Sequence, residues 1–581
     1  MNFLQQISAN VTIGILFIFF LSCSNKGYKE NRKEVIIHEL SDAEMLNPIN
    51  VHDNTGQCIL KNLFQSLLDV DFKTLELIPM LAEGRPSIEK TPEGGMLITY
   101  HIRPEARWDN GTPITAKDVE FTLKVIKNPK VSNQSAKPYY EFINDIKFYD
   151  NDPLKFTLVS NTQYILAEAS SGDYAILPEY VYDPKGLMKE FSIKQLNDEK
   201  DKLTENSKLN EFAQDFNSEK RMREKEYISG SGAYKLEEWV TGQRIVFTKK
   251  ENWWGDKLNT VNCYYEAFAP KIVYQTTALV SLKAGNLDVM FGIKAKDFID
   301  LPKSEKFKEG FNAYTPMSLQ YNYIGMNTKL PKFSDKNVRK ALAHLVDVDK
   351  IIKTVMYGLA ERTIGPIHPS KKNDYNAAIV PYDFNIDEAK KILADAGWKD
   401  TNGDGTIDKI INGQKEEFNI NFIVNAGNDM RKQTALMFQE EARKAGINVT
   451  VTSQDWSVYL DNLKKKNFEM YFGAWISSPI PEDFKQIFHT ESALNEGSNY
   501  VNFGNHVSDA LIDSIRVELD ETKRAVLNKR IQEILHEEVP YIFLYAPSER
   551  IAISKRFNIQ EASVMRPGFW EAGFKMADSP N

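Results

Sequence analysis

Between Phe418 and Trp475 the chain repeats its apolar residues in an order that leaves few folds open. Phe418, Ile420, Phe422 and Val424 alternate as a strand does, and Ala435, Phe438, Ala442 and Ala445 then follow a helical period that stops at Gly446. Val449 and Val451 alternate again. Trp456, Tyr459, Leu460 and Leu463 mark one face of a second helix, and Phe468, Met470 and Phe472 form a third strand. A β-α-β-α-β order predicts a parallel sheet, because parallel neighbours need long crossovers and these are right-handed. A ligand crevice then lies outside the carboxyl ends of the strands. Those ends carry 425–429 (NAGND), 453–456 (SQDW) and 474–478 (AWISS). Asn425, Asn428, Trp456, Trp475, Ile476, Ser477 and Ser478 are therefore candidate binding residues. Uncharged amides and hydroxyls beside two indoles suit a flat or extended polar ligand. The competing reading puts both indoles in a core between lobes.

This unit occupies a small part of 581 residues. Single cores stop growing near roughly 250–300 residues, so two or three lobes are expected. At 42% hydrophobic and 26% charged residues the composition is that of a globular chain, which excludes disorder and a coiled coil. The 72 basic and 80 acidic residues leave a net charge of −8, without the basic excess that holds phosphate backbones; no nucleic-acid partner is expected.

Val11 to Leu21 is an apolar run too short to span a bilayer and right for the middle of a secretory signal. Cys23 follows almost at once and resembles the acylated cysteine of a bacterial lipobox. Phe20 stands where leucine is usual, and residues 1–10 hold no Lys or Arg; an uncleaved anchor or a plain signal peptide are the alternatives. Residues 24–34 read as a tether, and the body beyond it as exported and lipid-anchored at the periplasmic or envelope side of a membrane. Cys58 and Cys263 make no disulfide framework, and the eight histidines form no metal-binding pair.

Local signals are scaffold. Thr115 and Asp118 make a capping pair before Val119, Thr122, Leu123 and Ile126; Thr241-Gly242 turns a hairpin; Ser334, Asp347 and Asn385 are candidate helix caps. The charged stretch 185–226 predicts exposed helices. Asp400, Asn402, Asp404 and Asp408 occupy calcium-loop positions, yet Ile411 stands where the bidentate glutamate belongs, so a polar turn is the first reading and weak calcium binding the second. No GxSxG, GxGxxG or GxxxxGK[ST] motif occurs, and Glu440-Glu441 and Glu537-Glu538 sit at adjacent helical positions that do not face one another. No cofactor and no catalytic residue are indicated.

The run 108–121, WDNGTPITAKDVEF, closely resembles the segment typical of family 5 extracellular solute-binding proteins, the peptide/nickel-type receptors of ABC importers. GSGAY at 230–234 with Trp239, NWWG at 252–255, VRKALAHLVDVDKI at 338–351, EAKKILADAGW at 388–398 and LNKRIQEILHEEVPYIFLY at 527–545 match in the same order, so the likeness runs from Val35 to about Phe569. The resemblance implies an α/β, two-lobed periplasmic-binding-protein-like fold of class II type in its large peptide-binding variant, with a hinge. Lobe one would be 35–315, lobe two 316–499, and 500–575 a return to lobe one. It further implies a monomer that closes on a peptide-like solute and presents it to permease subunits. In peptide-binding members, tryptophans like Trp456 and Trp475 line the ligand, and an aspartate three residues after the second pairs with the α-ammonium. Ser478 holds that place here, with Glu482 and Asp483 close behind. Asn54, Tyr321 and Tyr323 are assigned as first-lobe and hinge contacts by position alone, with core packing the other reading of the tyrosines. The rival functions are an exported hydrolase of peptides or glycans and an envelope partner-binding lipoprotein.

Overall fold

The structure, a computed structural model, describes residues 34–39, 41–133, 136–258, 267–272, 275–477, 479–494, 497–558 and 562–577. The signal segment, residues 24–33 of the tether, Cys23, Cys263 and Ser478 lie outside them. Two large sheets organise the molecule. A seven-stranded sheet runs 311–314, 551–554, 289–290, 34–39, 267–272, 244–249, 234–240, and a four-stranded sheet of 87–90, 96–101, 152–160 and 145–149 completes the same lobe. A six-stranded sheet runs 360–362, 541–547, 320–326, 470–476, 419–425, 448–454 and forms the second lobe.

The second sheet contains the β-α-β-α-β unit. Strands 419–425 and 448–454 pair in parallel along their whole length, and 470–476 adds in parallel on the other side of 419–425. Because the third strand crosses back past the first, the two right-handed crossovers put their helices on opposite faces. Helix Asp429–Lys444 buries Ala435, Phe438 and Ala442 against Phe422 and Val424, while helix Trp456–Lys464 buries Tyr459 and Leu463 in the aromatic core on the other face.

Two chain segments join the lobes and run side by side. Ser318 N donates to Pro547 O at 2.9 Å, Glu549 N donates to Pro316 O at 2.8 Å, and Met317 bridges to Ser548. The first crossing is made at 316–318. The second does not fall near residue 500. Helices His506–Val517 and Glu521–Glu538 bury Ile512, Ile515, Ile531 and Leu535 in the second lobe's aromatic core, and strand 541–547 pairs with 320–326. Residues 500–547 thus belong to lobe two, and the return comes at 548–550. An apolar helix face does not say which core it will join.

Elsewhere the local signals hold, with two corrections. Thr115 and Asp118 form the capping box, Tyr234–Val240 and Arg244–Lys249 form the hairpin, and Asp347 and Asn385 cap their helices. Asp335 rather than Ser334 caps helix Lys336–Ala343, its carboxylate accepting from Asn337 N at 2.8 Å. Segment 185–226 is less exposed than its charge suggests: Leu209, Phe212, Ala213 and Phe216 are buried in the first lobe's core. Among the described residues no helix is long and apolar enough to cross a membrane.

Candidate functional site

The antiparallel pairing of 320–326 with 470–476 sets Tyr321 opposite Trp475 and Tyr323 opposite Gly473. Alternation puts all four on one face. Gly473 is required there, since a Cβ would lie 2.3 Å from the Tyr323 ring. The room goes to an aromatic stack: Tyr323 lies on Tyr541 with centroids 3.8 Å apart, and its hydroxyl is 3.0 Å from that of Tyr471. Tyr323 is therefore core. Tyr321 is also buried, and its hydroxyl has no hydrogen-bond partner among the described residues.

Trp475 is half-buried above this stack. Its indole N–H donates to the Tyr541 hydroxyl at 3.4 Å, and its ring stacks on Tyr500 with centroids 6.1 Å apart. The next residue, Ile476, is 55% exposed, and Ser477 is buried with its N–H donating to Leu319 O at the first hinge segment. Trp456 opens its helix with its indole 50% exposed and stacked on Tyr459. Asn425, at its strand's end, accepts from Arg431 at 2.9 Å, and Asn428 caps the following helix through Arg431 N. The carboxyl ends of the three parallel strands thus gather one exposed indole, one half-buried indole and two oriented amides. Asn54 begins helix Asn54–Leu63 in lobe one, beside His52, whose pKa is lowered by burial and by Lys464 of lobe two.

Contacts that sequence reasoning missed hold the lobes together. The Tyr164 hydroxyl in lobe one donates to Asp483 at 2.9 Å, and Arg516 donates to the same carboxylate oxygen at 2.9 Å. Ile165 N donates to Arg516 O, and the Ile165 side chain packs on both lobes' cores. On the other flank Lys294 reaches Asp429 at 2.6 Å. No periodicity announces such residues, because their partners lie from 33 to 351 positions away, beyond the reach of any one helix or strand. Glu482 is also engaged: Lys371 lies 2.7 Å away, and burial pushes its pKa up. Neither carboxylate behind Ser478 lacks a basic partner.

Beside the hinge, a cavity of about 520 Å³ takes walls from both lobes: Lys294 and Lys296 from lobe one, Asn322 and Arg431 from lobe two, and Arg550 and Arg566 after the second crossing. Five basic side chains face two acidic ones, Asp429 and Glu549, so the cavity favours an anionic group. The loop 400–408 offers no comparable site. Asp400 accepts from Gly403 and Gly405 N–H groups, and Asp408 accepts from Thr401 and pairs with Lys415 at 3.1 Å. With its carboxylates turned onto its own backbone, the segment is a turn, and no metal-holding cluster is found among the described residues.

The model of bacterial extracellular solute-binding proteins, family 5 Middle, matches residues 76–493. The chain belongs to this family of solute-binding proteins. It is 27% identical to the oligopeptide-binding protein AppA of Bacillus subtilis (strain 168), over 94% of each chain, and 23% identical to the dipeptide-binding protein of Escherichia coli (strain K12), over 83% of each. The solved structure of Bacillus subtilis AppA in complex with a nonapeptide superposes with a TM-score of 0.76 at 25% identity, covering 94% of this chain and 99% of that one. NikZ from Campylobacter jejuni in complex with Ni(L-His) shares the fold, with a TM-score of 0.72 at 20% identity over 91% of this chain and 95% of that one.

Proposed function

We propose that the chain captures a peptide between its lobes and presents the closed, loaded form to an ABC permease, tethered to its membrane by lipid on Cys23. The observation that carries this reading is the clasp of Tyr164, Asp483 and Arg516, which together with the two-segment hinge ties the two lobes of one chain to each other at separate places. A monomer suffices, since both walls belong to it. Trp456 and Ile476 offer apolar surface to an extended ligand, and the basic cavity at Arg431 and Lys294 suits its carboxylate end. AppA, an oligopeptide-binding protein with a solved nonapeptide complex, supports the size of the guest.

The carboxylate is the stronger anchor in this cleft, because Ser478 carries no charge and Glu482 and Asp483 are already paired with Lys371 and Arg516. The same pairing leaves no acid and base poised for hydrolysis between those two residues. Calorimetry with a nonapeptide and its C-terminal amide tests the reading: the free acid should bind about tenfold or more tighter, as a charged hydrogen bond worth roughly 1.5–3 kcal/mol requires. Equal affinities would remove the basic cavity from recognition, and native mass spectrometry of purified protein free of any peptide-mass adduct would count against the role itself.

A further inference from the structure

The cavity of about 520 Å³ beside the hinge holds more positive charge than one carboxylate can balance. Of its seven charged wall residues four pair off, Lys294 with Asp429 at 2.6 Å and Arg566 with Glu549 at 3.7 Å. Lys296, Arg431 and Arg550 are left. None of the three has a carboxylate oxygen within 4 Å among the described residues. A terminal carboxylate therefore cancels one of these charges and leaves two.

The two arginines are each fixed by part of the guanidinium and offer the rest. Arg431 Nη1 donates to Asn425 Oδ1 at 2.9 Å, while Arg550 donates through Nε to Ile293 O and through Nη1 to Ser548 O at 2.7 Å. Nη2 of both makes no hydrogen bond among the described residues, and neither Nη2 is sealed from solvent. A donor nitrogen held in a rigid planar fork suits a carboxylate. The Lys296 side chain is exposed and makes no hydrogen bond among the described residues either. On the same wall Asn428 caps and Asp429 opens helix Asp429–Lys444, and the positive end of its dipole adds to the attraction for anions.

Closure makes the surplus matter. In the open form water and salt shield the basic side chains from one another, and shutting the lobes over them removes that shielding. Burial already disfavours the Arg550 cation, and Glu549 offsets it only in part. Lys296 and Arg550 belong to one corner of the cavity, since Ile293, three residues before Lys296, donates its N–H to Arg550 O at 3.2 Å. We propose that this cavity selects peptides that end in an acidic residue, with the α-carboxylate at Arg431 and the side-chain carboxylate at Lys296 and Arg550. The inference rests on the cleft being a peptide site and names the class of peptide it takes.

The test is calorimetry on the full chain with three nonapeptides, all free acids: one ending in glutamate, one ending in glutamine, and one ending in glutamine with the glutamate moved to the first position. The unaltered protein should bind the glutamate-ended peptide about tenfold tighter than the glutamine-ended one, as an added charge-assisted contact implies. Glutamate at the first position should bring no such gain, which separates recognition at this end from attraction by overall charge. Lys296→Met and Arg550→Gln should each shrink the tenfold ratio. Arg550→Gln keeps an amide that can donate to Ile293 O, and Lys296→Met, on an exposed side chain, carries the test if Arg550→Gln melts early. Equal binding of the glutamate- and glutamine-ended peptides, an equal gain from glutamate at either end, or a ratio that a folded variant leaves unchanged overturns the inference while the peptide role stands. Binding of none of the three by the unaltered protein overturns both.

Discussion

Tyr164 and Asp483, 319 residues apart in the chain, meet across the lobe boundary at 2.9 Å, the phenol donating to a carboxylate that Arg516 also holds. The contact spans both lobes, so it belongs to the closed state, and a ligand gains from closure only through such differential contacts. Tyr164→Phe keeps the ring beside Phe142, whose centroid is 5.0 Å away, and removes the hydroxyl. We expect the fold to persist and the apparent affinity for peptide to fall about tenfold, as the loss of a hydrogen bond to a charged group implies. Small-angle scattering should show a more open ligand-free ensemble. Unchanged affinity and scattering would exclude the contact from closure.

The Lys294–Asp429 pair should matter far less. Its side chains are 51% and 63% exposed, and exposed pairs are worth about 0–1 kcal/mol. A double-mutant cycle with Lys294→Met and Asp429→Asn, read as peptide affinity, should give a coupling below about 1 kcal/mol that disappears in about 1 M salt, where screening acts within about 3 Å. A larger, salt-resistant coupling would show the pair to be desolvated in the loaded form.

The two indoles should separate binding from folding. Trp456→Ala removes a half-exposed ring, so melting should change little while affinity falls about tenfold. Trp475→Ala also removes the Tyr500 stack and the donor to Tyr541, and should cost roughly 1–3 kcal/mol of stability as well as affinity. Urea unfolding and fluorescence titration distinguish the two outcomes; a Trp456 variant with full affinity would put that indole outside the ligand's reach.

Gly473→Ala should be severe for its size. The added methyl meets the Tyr323 ring at 2.3 Å, and that ring is fixed against Tyr541 at 3.8 Å. Overpacking of this kind costs roughly 1–3 kcal/mol. The urea midpoint checks it, and a midpoint equal to the parent's would mean the tyrosines move aside easily.

His52 should report closure by its protonation. Its imidazole pKa is lowered by burial and by Lys464 of the other lobe. Separating the lobes removes the Lys464 part of that shift, so the open form binds the proton more tightly, and acidification through the usual histidine range favours opening. Lys464→Met should raise the His52 pKa in a nuclear magnetic resonance titration of the loaded protein. An identical titration curve would show that Lys464 does not act on His52 in the closed form.

Local periodicity was enough to find the parallel unit, because a helix or strand with one apolar face has to be written as 3.6- or 2-residue repeats. Asn425, Asn428, Trp456, Trp475 and Ile476 were legible as a set for the same reason: each follows or ends a strand whose direction the crossovers fix. Tyr323 was not legible as core, since an aromatic residue two positions from Tyr321 reads alike whether it faces a ligand or Gly473. The clasp and the basic cavity were invisible because their members are scattered from Tyr164 to Arg566.

By itself the chain's text determined its family, its alternating elements and the strand ends where a ligand would lie, all of which are set by neighbours within one helix turn, one strand or one motif. Only the tertiary structure decided that residues 500–547 complete the second lobe, that Tyr323 is packing, and that Tyr164 reaches Asp483. Those outcomes depend on which of several apolar faces meet and which charges end up within 4 Å of one another, and distance in space is not written in distance along the chain.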